Sequence, residues 1–217
     1  MIIAPSILSL HYDNFKNEIK ILNENVEYLH FDVMDGHFVP NLSFGPDILK
    51  AFRKSSPLFL DTHLMISNPE SFIEPFVKAG TDGITFHYEV YNDIYKCIKL
   101  IDYIHSFYVK AGISIKPGTD IRIIEPILNK LDLVLVMSVE PGFGGQDFMS
   151  SSIDKINYLN GYRKEHNLNF KIEVDGGIND RNAHEVLKYG ADILVAGSFI
   201  FKGDIENNVQ LLRRCEQ

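Results

Sequence analysis

The stretch LHFDVMDGHFVPN, residues 29–41, begins like a buried β-strand yet carries His30, Asp32, Asp35 and His37. Side chains alternate across a strand, so Leu29, Phe31 and Val33 share one face and His30 and Asp32 the other. Two further stretches repeat the arrangement. In LFLDTHLM (58–65), Leu60, Thr62 and Leu64 alternate with Asp61, His63 and Met65. In KIEVDGG (171–177), Ile172 and Val174 alternate with Glu173 and Asp175. A closed parallel barrel accommodates both faces. The apolar set packs on surrounding helices, and the polar set points inward near the C-terminal mouth, where barrel enzymes carry their chemistry.

The rest of the chain supports a barrel. Strand-like runs rich in Ile, Val, Leu and Phe fall at 2–7, 28–33, 58–65, 83–88, 111–115, 133–139, 171–175 and 193–197. Helix-like runs separate them, with apolar residues at three- and four-residue intervals: 14–25, 69–80, 91–107, 120–131, 151–166, 182–190 and 204–215. Asn68 before Pro69 reads as a cap with proline in the first turn, and Gly80 and Gly190 as left-handed helix stops. Strands alternating with helices imply a parallel sheet. Eight repeats without a linker or composition break predict a (β/α)8 TIM barrel of the α/β class, as a single domain over 1–217. No strand leads into a convincing G-x-G-x-x-G helix start, which disfavours an open dinucleotide-binding sheet.

Composition bounds the function. The 217 residues are 45% hydrophobic and 23% charged, an ordinary globular balance. No apolar run reaches the roughly 18 residues of a membrane span, so no membrane partner is expected. The opening MIIAPSILSL lacks a basic flank, so no signal peptide is expected. Cys97 and Cys215 form neither a disulfide framework nor a thiolate metal site, which suits a reducing, cytoplasmic setting. The net charge of −8 opposes nucleic-acid binding. An anionic ligand would therefore be held by local backbone donors and not by a general positive field.

His30, Asp32, His63 and Asp175 all project toward one mouth. For H-x-D alone, a satisfied polar pair at a strand end would suffice. Four such positions converging make a site for one divalent metal, and nitrogen and oxygen ligands without thiolate suit Zn, Fe(II), Mn or Co. Glycine-rich turns follow three late strands, at 141–146, 175–177 and 196–198. Each could be only a tight turn, but together they suggest a phosphate cradle built from backbone amides and the start of a short helix. Positive φ is expected at Gly177 and Gly197. Met34, Met65 and Met137 could line the pocket or simply fill core. Ser6 faces inward and could bond a ligand. His87 could touch substrate or be a hydrogen-bonded structural histidine, and Lys116 could be a turn residue or a Schiff-base lysine.

The runs HFDVMDGHFVPN, THLMI, MSVEPGFGGQDF, EVDGGI and AGSFIF, in this order between Ser6 and Phe201, resemble the ribulose-phosphate 3-epimerase family. That resemblance implies a (β/α)8 barrel, one divalent metal, a sugar-phosphate substrate and a homo-oligomer. It implies interconversion of D-ribulose 5-phosphate and D-xylulose 5-phosphate. By motif, His30, Asp32, His63 and Asp175 match the metal ligands, and Asp32 and Asp175 the acid/base pair. Ser6, His63, Gly142, Phe143, Gly144, Gly145, Asp175, Gly176, Gly177, Gly197 and Ser198 match the substrate and phosphate contacts. Thr62 departs from the family's usual valine on an outward face, and Phe199 from a small residue beside the phosphate turn. An allulose-6-phosphate 3-epimerase would use the same machinery, and a non-catalytic phosphate-binding barrel would use the metal structurally.

Overall fold

The structure, a computed structural model, describes residues 1–216. Its eight strands are β1 (Ile2–Pro5), β2 (Tyr28–Met34), β3 (Phe59–Met65), β4 (Gly83–His87), β5 (Lys110–Ile115), β6 (Leu133–Met137), β7 (Lys171–Asp175) and β8 (Ile193–Ala196). All pairings are parallel, in the order β1-β8-β7-β6-β5-β4-β3-β2. A parallel bridge between Ser6 and His30 joins β1 to β2 and closes the barrel.

Eight α-helices follow: α1 (Phe15–Asn25), α2 (Pro46–Ser55), α3 (Ile73–Ala79), α4 (Ile94–His105), α5 (Ser152–Glu165), α6 (Ala183–Lys188), α7 (Ser198–Phe201) and α8 (Ile205–Arg214). Gly80 ends α3 in the left-handed region at φ 101°, as its position after the helix predicts. Gly190, at φ 115°, does the same after α6. Two local expectations need correction. Residues 121–130 form 3-10 turns and not an α-helix. Pro126 lies in the middle, and it removes one i→i−4 bond and crowds the preceding turn, which favours the tighter winding. Pro69 opens a 3-10 turn as well, and the Asn68 side chain makes no capping bond to it.

The core has two shells. Leu29, Phe31, Val33, Leu60, Leu64, Ile84, Phe86, Ile113, Val134 and Val136 face outward and pack under the helices. Inside, Ala4, Leu133, Leu135, Met137, Ile193 and Val195 fill the side formed by β1, β6 and β8. The remaining interior is polar: His30, Asp61, His63, Thr85, His87, Ser114 and Glu173 are all buried there. The barrel thus has an apolar half that packs and a polar half that would be expensive to bury without a purpose. Thr62 faces outward as expected, and its hydroxyl is satisfied 2.7 Å from that of Thr81.

A candidate metal centre at the barrel mouth

Parallel register places the polar residues side by side. His30 pairs with Asp61, Asp32 with His63, and Met137 with Asp175. Donor atoms of His30, Asp32, His63 and Asp175 lie within 4.8 Å of one another. The separations are 3.3 Å from His30 Nε2 to Asp32 Oδ1, 3.2 Å from His63 Nδ1 to Asp32 Oδ1 and 3.4 Å between the two imidazole nitrogens. A tetrahedral ion with bonds of about 2.0–2.1 Å holds its donors roughly 3.3 Å apart. Asp175 Oδ2 stands 4.0 Å from His63 Nδ1 and is the outermost of the four, at the rim.

Electrostatics also favours a cation there. His30 Nδ1 lies 2.6 Å from Asp61 Oδ2, a carboxylate–histidine pair of the kind that orients metal ligands. Burial opposes charge on His30, but Asp32 and Asp61 raise its pKa well above the usual imidazole value. The same negative charges favour a divalent cation at the centre. Asp32 is held low against burial by His30 and His63, and Ser6 Oγ donates to its Oδ2 at 2.5 Å. Burial and the Asp32 charge push Asp175 up to about 7 among the side chains alone; a bound cation would bring it down. Behind them, burial and the Asp61 charge push Glu173 up to about 8. Both its oxygens lack hydrogen-bond partners.

The other ionisable residues of 29–41 serve the loop. Asp35 Oδ1 accepts from the amides of His37 and Phe38 at 2.8 and 2.9 Å, and Oδ2 from that of Ser67 at 2.7 Å. Partial desolvation opposes the charge on Asp35, but these bonds outweigh it and lower the carboxyl to about 2. Neither Asp35 nor His37 belongs to the centre.

A cavity opens above these four residues. Ser6, Asp32, Met34, Met65, Met137, Gly142, Phe143, Gly144, Gly145, Asp175, Gly176, Gly177, Gly197 and Ser198 line it. No lysine or arginine is among the described residues on its wall. His30 and His63 are fully buried behind that wall. Leu8, Ser9, Val139, Gln146, Ile178 and Val195, which were not among the expected site residues, also line it. Ser9 had a legible signal, since it lies three residues after Ser6 across the 3-10 turn at 7–9. The Asn41 contact had none: its Nδ2 donates to Gly142 O at 2.8 Å across 101 residues of sequence. Lys116 lies outside this wall, with Nζ 4.1 Å from the Phe38 ring centroid. Phe199 is half-buried against the outer core.

A family model for the ribulose-phosphate 3 epimerase family matches residues 2–201. The chain belongs to that family. Ribulose-phosphate 3-epimerase of Aquifex aeolicus (strain VF5) is 42% identical over 214 residues, covering 98% of this chain and 95% of the relative. That of Bacillus subtilis (strain 168) is 43% identical over 201 residues, covering 92% and 91%. The chloroplastic ribulose-5-phosphate-3-epimerase of Arabidopsis thaliana is 43% identical over 202 residues, covering 93% and 72%. Among solved structures, 3-hexulose-6-phosphate synthase from Salmonella typhimurium superposes with a TM-score of 0.74 at 15% identity, covering 100% of this chain and 98% of that one. That likeness shows the shared barrel.

The glycines of this epimerase-family site are constrained in different ways. Gly177 has φ 64°, and a Cβ there would lie 2.5 Å from Phe148 N and 2.8 Å from Gln146 O. Gly197 does not have the expected positive φ; it sits at −98°. Its constraint is closeness, since a Cβ on Gly197 would lie 2.7 Å from Ser9 Oγ. At Gly144 the nearest atom would be Leu8 Cδ2 at 3.9 Å. Gly177→Ala is therefore expected to destabilise the fold by more than the ~1–2 kcal/mol of a left-handed alanine alone, because backbone must also move. Gly144→Ala should unfold at nearly the native temperature. Equal melting temperatures for the two variants would refute this account of the turn.

Proposed function

We propose that this chain is a ribulose-phosphate 3-epimerase acting as a single barrel domain on D-ribulose 5-phosphate and D-xylulose 5-phosphate. The observation that carries the reading is the convergence of two aspartates and two histidines beneath a glycine-walled cavity. Epimerisation at C3 of a 2-ketose removes a proton alpha to a carbonyl and returns one to the opposite face. It therefore needs two acid/base groups approaching from different sides. Asp32 on β2 and Asp175 on β7 are separated by β1 and β8 around the ring. One carboxylate takes the C3 proton, and the other, protonated, delivers its own to the far face of the planar ene-diolate. The roles exchange in the reverse direction. A divalent ion held by His30, Asp32, His63 and Asp175 would supply Lewis acidity toward the substrate's oxygens. Ser6 Oγ donates to Asp32 Oδ2 and so orients the carboxylate with Oδ1 toward His30 Nε2 and His63 Nδ1. Met34, Met65 and Met137 wall the reacting carbon with surface that excludes water and offers no competing proton.

The turns at 142–145, 176–177 and 197–198 receive the phosphate through backbone amides. Four-residue α7 is too short to add much of a dipole. Hydrogen bonds to a charged group are worth about 1.5–3 kcal/mol each, so losing two lowers kcat/KM about 10³-fold. Remote binding energy also supports turnover. Steady-state kinetics with D-ribulose 5-phosphate and with ribulose test both parts of the reading. Epimerisation of the phosphate and a roughly 10³-fold poorer reaction of the free sugar are expected. No epimerisation would remove the activity, and similar kcat/KM for the two sugars would remove the phosphate cradle. A cytoplasmic homo-oligomer belongs to the same proposal. Cys97 and Cys215 are unpaired, no described helix is long and apolar enough to cross a membrane, and light scattering would read the assembled mass.

A further inference from the structure

Only one histidine of the centre is backed directly by a carboxylate. Asp61 Oδ2 meets His30 Nδ1 at 2.6 Å. The outer nitrogen of His63, Nε2, instead meets His87 Nε2 at 2.8 Å. The two rings lie nearly parallel, with centroids 4.9 Å apart and planes at 29°. The second nitrogen of His87, Nδ1, lies 3.3 Å from Glu89 Oε2. Glu89 is itself anchored, because its Oε1 accepts from the Lys116 amide at 2.7 Å and from Thr119 Oγ1 at 2.5 Å. That turn is held in place by Lys155, whose Nζ donates to the carbonyls of Lys116, Pro117 and Thr119 at 2.7–2.8 Å. All three rings, His63, His87 and His30, are fully buried.

The hydrogen positions follow from what each group can do. A carboxylate only accepts, so His87 Nδ1 carries the hydrogen that faces Glu89. The neutral ring then has a bare lone pair on Nε2. A single hydrogen lies between the two Nε2 atoms, so it belongs to His63. That leaves His63 Nδ1 as a lone pair 3.2 Å from Asp32 Oδ1, two acceptors that a cation shared between them reconciles.

We propose that Glu89 and His87 form a relay that holds His63 in its Nε2–H form and so presents its Nδ1 lone pair to the metal, which rests on the metal reading of the centre. Both are positioning residues, acting through His63 without touching substrate. Hydrogen-bond polarity distinguishes such a relay from simple packing. In Glu89→Gln, the oxygen must stay on the Lys116 amide, since that N–H can only donate. The new NH₂ group then faces His87 Nδ1 and forces the hydrogen of His87 to Nε2. His63 answers by moving its own hydrogen to Nδ1, which blocks the metal. In His87→Gln, by contrast, the side-chain oxygen accepts from His63 and the NH₂ donates to Glu89, so the polarity is kept.

The test is Zn(II) affinity, measured by chelator competition on the full chain, together with ¹⁵N NMR of the histidines in metal-free protein. Loss of an outer-shell partner typically costs 10–100-fold in metal affinity. Glu89→Gln is expected to bind Zn(II) 10–100-fold more weakly than the native protein and to show hydrogen on His63 Nδ1. His87→Gln, which keeps the polarity of the chain, should lose less than the roughly tenfold lower bound for a lost outer-shell partner. Both variants should keep the native circular dichroism. Native-like affinity in Glu89→Gln would overturn the relay, and so would equal weakening in the two variants. A native protein that takes up no Zn(II) or other divalent ion would instead overturn the metal reading beneath it.

Discussion

Replacing Asp32 or Asp175 by asparagine is expected to lower epimerisation by about 10³-fold or more, since a positioned proton carrier contributes typically 10²–10⁴. Each change also removes a negative charge from the proposed metal centre. Asparagine keeps the shape of aspartate but cannot carry a proton at neutral pH. The barrel should survive both changes. Asp175 retains 17% of its side-chain exposure at the rim. The Asp32 position can still accept from Ser6 Oγ through an amide oxygen. Circular dichroism and melting temperature establish that each variant is folded, and a coupled assay of xylulose 5-phosphate formation reads the loss. A folded variant, free of host enzyme, that works within tenfold of the native rate would sink the two-carboxylate mechanism.

Removing the metal is expected to have an effect of similar size. Electrostatic stabilisation by a bound ion is worth several kcal/mol, and about 4 kcal/mol corresponds to roughly 10³ in rate. Chelator-treated protein should therefore be nearly inactive, and Zn, Fe(II), Mn or Co should restore it to different degrees. A second readout does not depend on turnover. An ion that binds only the folded chain stabilises it by about 2.7 kcal/mol at a hundred times its Kd, so the melting temperature should rise on adding metal. His63→Ala should abolish that rise while leaving the outer core intact. Full activity in protein shown to be metal-free by elemental analysis would end the metal reading.

Period-two alternation in 29–33, 60–65 and 171–175 was enough to turn His30, Asp32, His63 and Asp175 toward one interior, because a strand allows only two directions for its side chains. The eight strand-like runs and their helix-like partners were enough for the barrel, since parallel strands need crossovers. The glycine turns were legible from the glycines themselves, and 142–145, 176–177 and 197 line the cavity. Other features depended on pairing between distant segments. Asp61 became a partner of His30 through the β2–β3 register. The relay from Glu89 through His87 to His63 joins β3 to β4 and then to the turn after β5. Gly197 showed a close approach to Ser9 where local reasoning expected positive φ, because β1 returns beside β8. Strand chemistry is written in consecutive residues. Hydrogen-bond direction, tautomer and close approach are set by which strands become neighbours, and only the closed barrel decides that.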